Sequence, residues 1–152
     1  MVARAFGADR IIVCGNEDLS MKKSVDSISK HWGGKFKIEF VNDWKKELTK
    51  LHKQGFVSVH LTMYGEPIME KEEEISKNNK VCVIIGSQKV ERAVYNKATY
   101  NISITNQPHS EIAALAVTLD RLQNGKELAK KFIGREKEIV PQARSKKVIS
   151  LK

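Results

Sequence analysis

Short unbroken apolar runs alternate along this chain with stretches in which apolar residues recur every three or four positions. The runs are 10–14 (RIIVC), 56–63 (FVSVHLTM), 80–85 (KVCVII) and 100–104 (YNISI). Between them, Met21, Val25, Ile28 and Trp32 follow helical spacing, predicting a helix that Ser20 can cap and that Gly33 and Gly34 end. Phe36, Ile38 and Phe40 alternate with Lys37 and Glu39, the pattern of a strand with one wet face near a sheet edge. Asp43 can cap a helix whose apolar face is Trp44, Leu48 and Leu51. Pro67 suits the first turn of a helix through Ile75, acidic at Glu70, Glu72, Glu73 and Glu74. Residues 80–85 lack alternation, which predicts a strand buried on both faces of a parallel sheet. A short helix over 90–97 follows. An alanine-rich helix over 110–122 is apolar nearly all round, so it should pack on several sides before Gly125 ends it. The alternation predicts an α/β domain with a mostly parallel sheet flanked by helices. Residues 2–8 (VARAFGA) read as the last turn of a helix ending at Gly7. Either a strand precedes that turn, or it is a short N-terminal turn packed on the sheet.

Composition narrows the class. The 152 residues are 41% hydrophobic and 30% charged, which suits one globular domain and excludes a disordered or fibrous chain. No apolar run approaches the ~20 residues of a membrane helix. The first residues lack the apolar core and cleavage site of a signal peptide, so the expected location is the cytoplasm. Cys14 and Cys82 each sit in an apolar run and fit reduced thiols better than a disulfide framework. The net charge of +9 points to a polyanionic partner, and most of it has an address: +6 falls in residues 126–152. There, Arg144, Lys146 and Lys147 follow the turn residues Pro141 and Gln142. Phosphate contacts fit this pattern, as does a solvated edge strand protected by lysine.

Common chemical signatures are missing. The chain has no G-x-G, no P-loop and no G-x-S-x-G elbow, and its four histidines show no zinc spacing, so no metal is expected. Ligands of parallel sheets lie outside the carboxyl ends of the strands, which directs attention to three loops. The first is 60–65 (HLTMYG), a strand end at a glycine. The second is 86–90 (GSQKV), after the most apolar strand. The third is 106–111 (NQPHSE), where Asn and Gln amides precede a helix that Ser110 can cap.

Three segments together are specific. ARAFGADRII (3–12), VHLTMYG (59–65) and ITNQPHSEIAALAVTLDRL (104–122) closely resemble the archaeal tRNA (cytidine(56)-2'-O)-methyltransferases, a branch of the SPOUT superfamily. WGGKFKIEF (32–40) and IVPQAR-KK (139–147) match as well, so the resemblance spans nearly the whole chain. It implies a SPOUT-type α/β domain with a deep trefoil knot towards its C-terminal end, built from segments matching 86–90 and 102–113. It implies a domain over 1–125 lacking the family's N-terminal strand and arginine-rich loop, with a basic extension over 126–152 packed on the same domain. It further implies S-adenosylmethionine as cofactor, tRNA as substrate and a homodimer. Carried over by motif, Leu61, Gly86, Ser87, Gln88, Lys89, Val90, Ile104, Thr105, Asn106, Gln107, Pro108, His109 and Ser110 would hold the cofactor. Arg4, the arginine of the first motif, would assist proton removal from a ribose 2'-hydroxyl, unless it is a surface arginine at a helix end. Lys89, Arg144, Lys146 and Lys147 would contact tRNA phosphates. Other readings are a non-catalytic RNA- or cofactor-binding SPOUT module, a relative with a different target nucleotide, and a flavodoxin-like small-molecule binder.

Overall fold

Two aspartates start the first long helices. Asp18 accepts a hydrogen bond from Met21 N–H at 2.9 Å and begins α2 (Leu19–Trp32), while Asp43 accepts from Lys45 and Lys46 N–H and begins α3 (Trp44–Lys53). The cap of α2 is thus Asp18 and not the expected Ser20, which lies inside the helix. Asp18 holds an extended backbone, with its carboxylate placed for the third helical amide.

The structure, a computed structural model, describes residues 1–86 and 90–151. The chain opens with a single turn, α1 (Val2–Ala5), and strand β1 (Arg10–Cys14). α2 leads to β2 (Lys37–Val41), which pairs parallel with β1. After α3 come β3 (Val57–Pro67), α4 (Ile68–Ser76), β4 (Val81–Ile84), α5 (Arg92–Lys97), β5 (Tyr100–Ser103) and α6 (Glu111–Gln123). β3 is central, parallel to β4 on one side and β5 on the other. The expected α/β architecture is therefore present, with its parallel strands hydrogen-bonded as a pair and a triplet.

The core lies where β3 and β5 meet α4 and α6: Val59, Leu61, Ile68, Ile75, Ile102 and Ala114 are buried together. Two expectations of burial are corrected. β4 is only half-buried, because among the described residues it pairs with β3 alone and its other edge has no strand. α6 buries Ala114 and Thr118 yet leaves Ile112 61% exposed, so one side of this apolar helix is uncovered.

The basic tail has structure that periodicity showed only in part. A 3-10 turn (Lys126–Ala129) precedes β6 (Lys137–Ile139), which pairs antiparallel with β7 (Val148–Ser150). This hairpin docks on the end of α2: Glu136 N–H donates to the His31 carbonyl at 3.0 Å, and Gly34 N–H to Ile133 at 2.9 Å. The glycine pair makes that approach possible. Both residues hold positive φ, and a Cβ would lie 2.8 Å from the Ile133 carbonyl at Gly33 and 2.8 Å from the Phe132 ring at Gly34.

Candidate active site

At its carboxyl end β3 leaves the ladder. Leu61 and Glu66 both oppose Ile102 of β5, so residues 62–65 form an excursion between two points of attachment. Three contacts fix it. Thr62 Oγ1 and the Tyr95 hydroxyl of α5 share a hydrogen bond at 2.9 Å. Asn106 Nδ2, from the loop after β5, donates to the Met63 carbonyl at 2.7 Å. Gly65 lies directly on the Asn101 backbone, where a side chain has no room. The loops read from sequence at 60–65 and 106–111 are thus in contact.

Beneath the excursion sits a closed polar ring. Asn101 Nδ2 donates to the Tyr95 carbonyl, which turns its Oδ1 towards His60. His60 Nδ1–H therefore donates to Asn101 Oδ1 at 2.8 Å, leaving Nε2 bare, fully buried and without a partner. The imidazole meets the Tyr95 ring edge-to-face at 4.7 Å. Burial lowers the His60 pKa below its ordinary value, against a smaller opposite pull from Asn101, so the ring stays neutral. His60 and Thr62 stand two apart and reach the same helix, a period-two signal visible in the sequence. Tyr95 and Asn101 were not candidates, because nothing local marks them.

Leu61 is buried in the core cluster at the point where the excursion begins. The loop after β5 offers backbone groups: among the described residues, no partner accepts from the N–H of Thr105, Asn106, Gln107 or His109. His109 Nε2 is buried and unpartnered, and Ser110 Oγ accepts from Ala113 N–H to cap α6. Such uncommitted donors suit a ligand held mainly through backbone contacts. Gly86 and Val90 border the second loop, whereas Ser87, Gln88 and Lys89 lie outside the described residues. Burial first and nearby carboxylates second push the Cys14 thiol up, and burial is the leading cause of the rise at Cys82.

Arg4 is employed elsewhere. It is buried, its Nη2 donates to the Gly33 carbonyl at 2.6 Å, and its guanidinium lies 4.8 Å over the Phe132 ring. These partners belong to the α2 end and the tail, not to the three loops. Arg144, Lys146 and Lys147 are exposed together in the connection between β6 and β7, with no ion pair among the described residues. Among those residues no group of three His, Cys, Asp or Glu is placed to hold a metal. No helix there is long and apolar enough to cross a membrane.

A family model described as tRNA ribose 2'-O-methyltransferase, aTrm56, matches residues 32–149. The chain belongs to this family. It is 50% identical to the tRNA (cytidine(56)-2'-O)-methyltransferase of Pyrococcus horikoshii, over 99% of this chain and 75% of the relative. It is 49% identical to that of Sulfurisphaera tokodaii, over 97% of this chain and 88% of the relative. For this tRNA ribose 2'-O-methyltransferase family member, solved structures share the α/β architecture of parallel strands and flanking helices. The SpoU methyltransferase AviRb from Streptomyces viridochromogenes, in complex with AdoMet, superposes with a TM-score of 0.62 at 15% identity, over 85% of this chain. A TrmH/SpoU tRNA modifying enzyme from A. aeolicus gives 0.61 at 18%, over 84%. The chain spans 54% and 66% of these two solved chains.

Proposed function

We propose that this protein methylates the ribose 2'-hydroxyl of cytidine 56 in tRNA, using S-adenosylmethionine. The observation that carries this reading is identity near 50% to tRNA (cytidine(56)-2'-O)-methyltransferases across nearly the whole chain, including the loops that meet at the end of β3. When bound, S-adenosylmethionine would supply an activated methyl group from its sulfonium sulfur; transfer to the ribose 2'-oxygen would release S-adenosylhomocysteine and the hydroxyl proton.

The chain's own contribution is to bind and orient. Leu61 borders the cofactor where β3 leaves the ladder, and the free N–H groups of Thr105, Asn106, Gln107 and His109 hold it with the segment from Gly86 to Val90. Pro108 and Ser110 shape the turn into α6, and Ile104 joins it to the sheet. Arg144, Lys146 and Lys147 hold tRNA phosphates. Arg4 anchors the tail through its contacts with Gly33 and Phe132. The segments around 86–90 and 102–113 form a trefoil knot, a reading supported by the family resemblance. A second copy of the chain covers the exposed face of α6 around Ile112, giving a homodimer that works on tRNA in the cytoplasm.

The commitment of Arg4 to an anchoring role favours one second reading, a module that binds cofactor and RNA without turnover. A methyl-transfer assay on an unmodified tRNA transcript separates the two. Label is expected on ribose at cytidine 56, mapped by nuclease digestion, and lost when that base is substituted. Label on a base, or on another nucleotide, overturns the proposal, and binding without transfer favours the second reading.

A further inference from the structure

Tyr64 occupies the tip of the excursion and is 78% exposed. It is the only exposed tyrosine, phenylalanine or tryptophan among the described residues; the others are at least half-buried. Its neighbours on the excursion are all held. Thr62 is bonded to Tyr95, the Met63 carbonyl accepts from Asn106, Gly65 lies on Asn101, and Tyr64 N–H reaches back to Thr62 Oγ1 at 3.4 Å. A large ring is thus presented to solvent from a short, fixed segment beside the loops assigned to the cofactor, where a polar side chain would be better solvated.

We propose that Tyr64 is a stacking platform for a nucleobase of the RNA substrate. The inference rests on the functional reading above and deepens it. Methyl transfer to a ribose needs that sugar held in place, and a base or phosphate offers the stronger grip. An aromatic face takes any base and loses little conformational freedom on binding, because only two side-chain torsions are fixed. The chain's charge of +9 favours a nucleic-acid occupant over a protein one. The nearest acid in sequence, Glu66, is ion-paired to Lys71 at 3.5 Å, which softens its repulsion of a phosphate backbone.

The test compares wild-type protein with Tyr64→Ala, Tyr64→Phe and Tyr64→Trp. It measures direct binding of an unmodified tRNA transcript by fluorescence anisotropy in the presence of S-adenosylhomocysteine. Calorimetric binding of S-adenosylhomocysteine alone and the oligomeric state are measured in parallel. Tyr64→Ala is expected to weaken RNA binding about tenfold, the scale of one stacked base. Tyr64→Phe and Tyr64→Trp should stay within about twofold of wild type, with S-adenosylhomocysteine affinity and oligomeric state unchanged in all three. The proposal is overturned if Tyr64→Ala binds RNA like wild type, if Tyr64→Phe loses as much as Tyr64→Ala, if Tyr64→Ala changes the oligomeric state, or if wild type binds no RNA. Because binding needs no turnover, a wild type that binds RNA but transfers no methyl group overturns the functional reading alone.

Discussion

Asn106 Nδ2 donates to the Met63 carbonyl at 2.7 Å, and this bond joins the loop after β5 to the excursion of β3. The contact is exposed, so it adds little to folding, but it sets the distance between two segments assigned to one cofactor. Asn106→Ala is expected to weaken S-adenosylhomocysteine binding about three- to tenfold by calorimetry, the worth of one ordinary hydrogen bond. Its melting temperature should stay within about 2 °C of wild type. Asn106→Asp sets a carboxylate against the carbonyl and should lose more. Unchanged affinity in both variants would show that the loops act independently.

Gly65 is required for space and not for backbone freedom. A Cβ there would lie 2.5 Å from the Asn101 carbonyl oxygen and 2.6 Å from Ile102 N. Both are backbone atoms of β5, so relief means opening the β3–β5 ladder where the excursion rejoins it. Overpacking of this kind typically costs about 1–3 kcal/mol. Gly65→Ala should therefore lower the melting temperature by several degrees and also weaken cofactor binding. A variant as stable as wild type would show that the ladder opens there without cost.

His60 gives stability a pH dependence. Burial holds its folded pKa below the ordinary 6.5, so the unfolded chain takes up a proton first as pH falls. The stability contributed by the neutral ring is complete above 6.5 and is lost as pH drops from there through the lowered folded value. Urea melts between pH 7.5 and 5 should show this decline, and His60→Gln, which has no proton to gain, should flatten it. An equally steep decline in His60→Gln would assign the effect to other groups.

Element types were legible because each carries a local signal: β1 and the start of β3 are apolar runs, and α3 has its Asp43 cap and a Leu48–Leu51 face; β3 runs past the glycine expected to end it, rejoining β5 at Glu66 and Pro67. What could not be read depends on neighbours distant in sequence. β4 looks like a fully buried strand, yet its burial is set by how many strands flank it. Asn101 is an ordinary strand residue until β5 places it opposite His60. Arg4 stood out as the arginine of a motif, and only the docking of Gly33 and Phe132 around it shows that its guanidinium is buried against the α2 end and the tail.

Arg4→Met separates anchoring from chemistry. It removes a charge-assisted bond to a buried carbonyl and the cation over Phe132, losses on the order of 2 kcal/mol together. The expected result is a melting temperature lower by several degrees, with methyl transfer per folded molecule retained in the cold. A transfer rate that collapses while the melting temperature holds would return Arg4 to the proton step.

The connection between β6 and β7 makes the last prediction. Arg144, Lys146 and Lys147 are exposed there, with no carboxylate paired to them among the described residues. If they neutralise phosphates, each releases counterions on binding, and the slope of log affinity against log salt measures how many do so. Replacing all three by alanine should reduce that slope by about two to three and weaken tRNA binding most at low salt. S-adenosylhomocysteine affinity should not change, since the hairpin docks on α2 through His31 and Gly34 and not on the cofactor loops. A slope equal to that of wild type would assign these cations to solvating the hairpin edge, the other role their pattern suits.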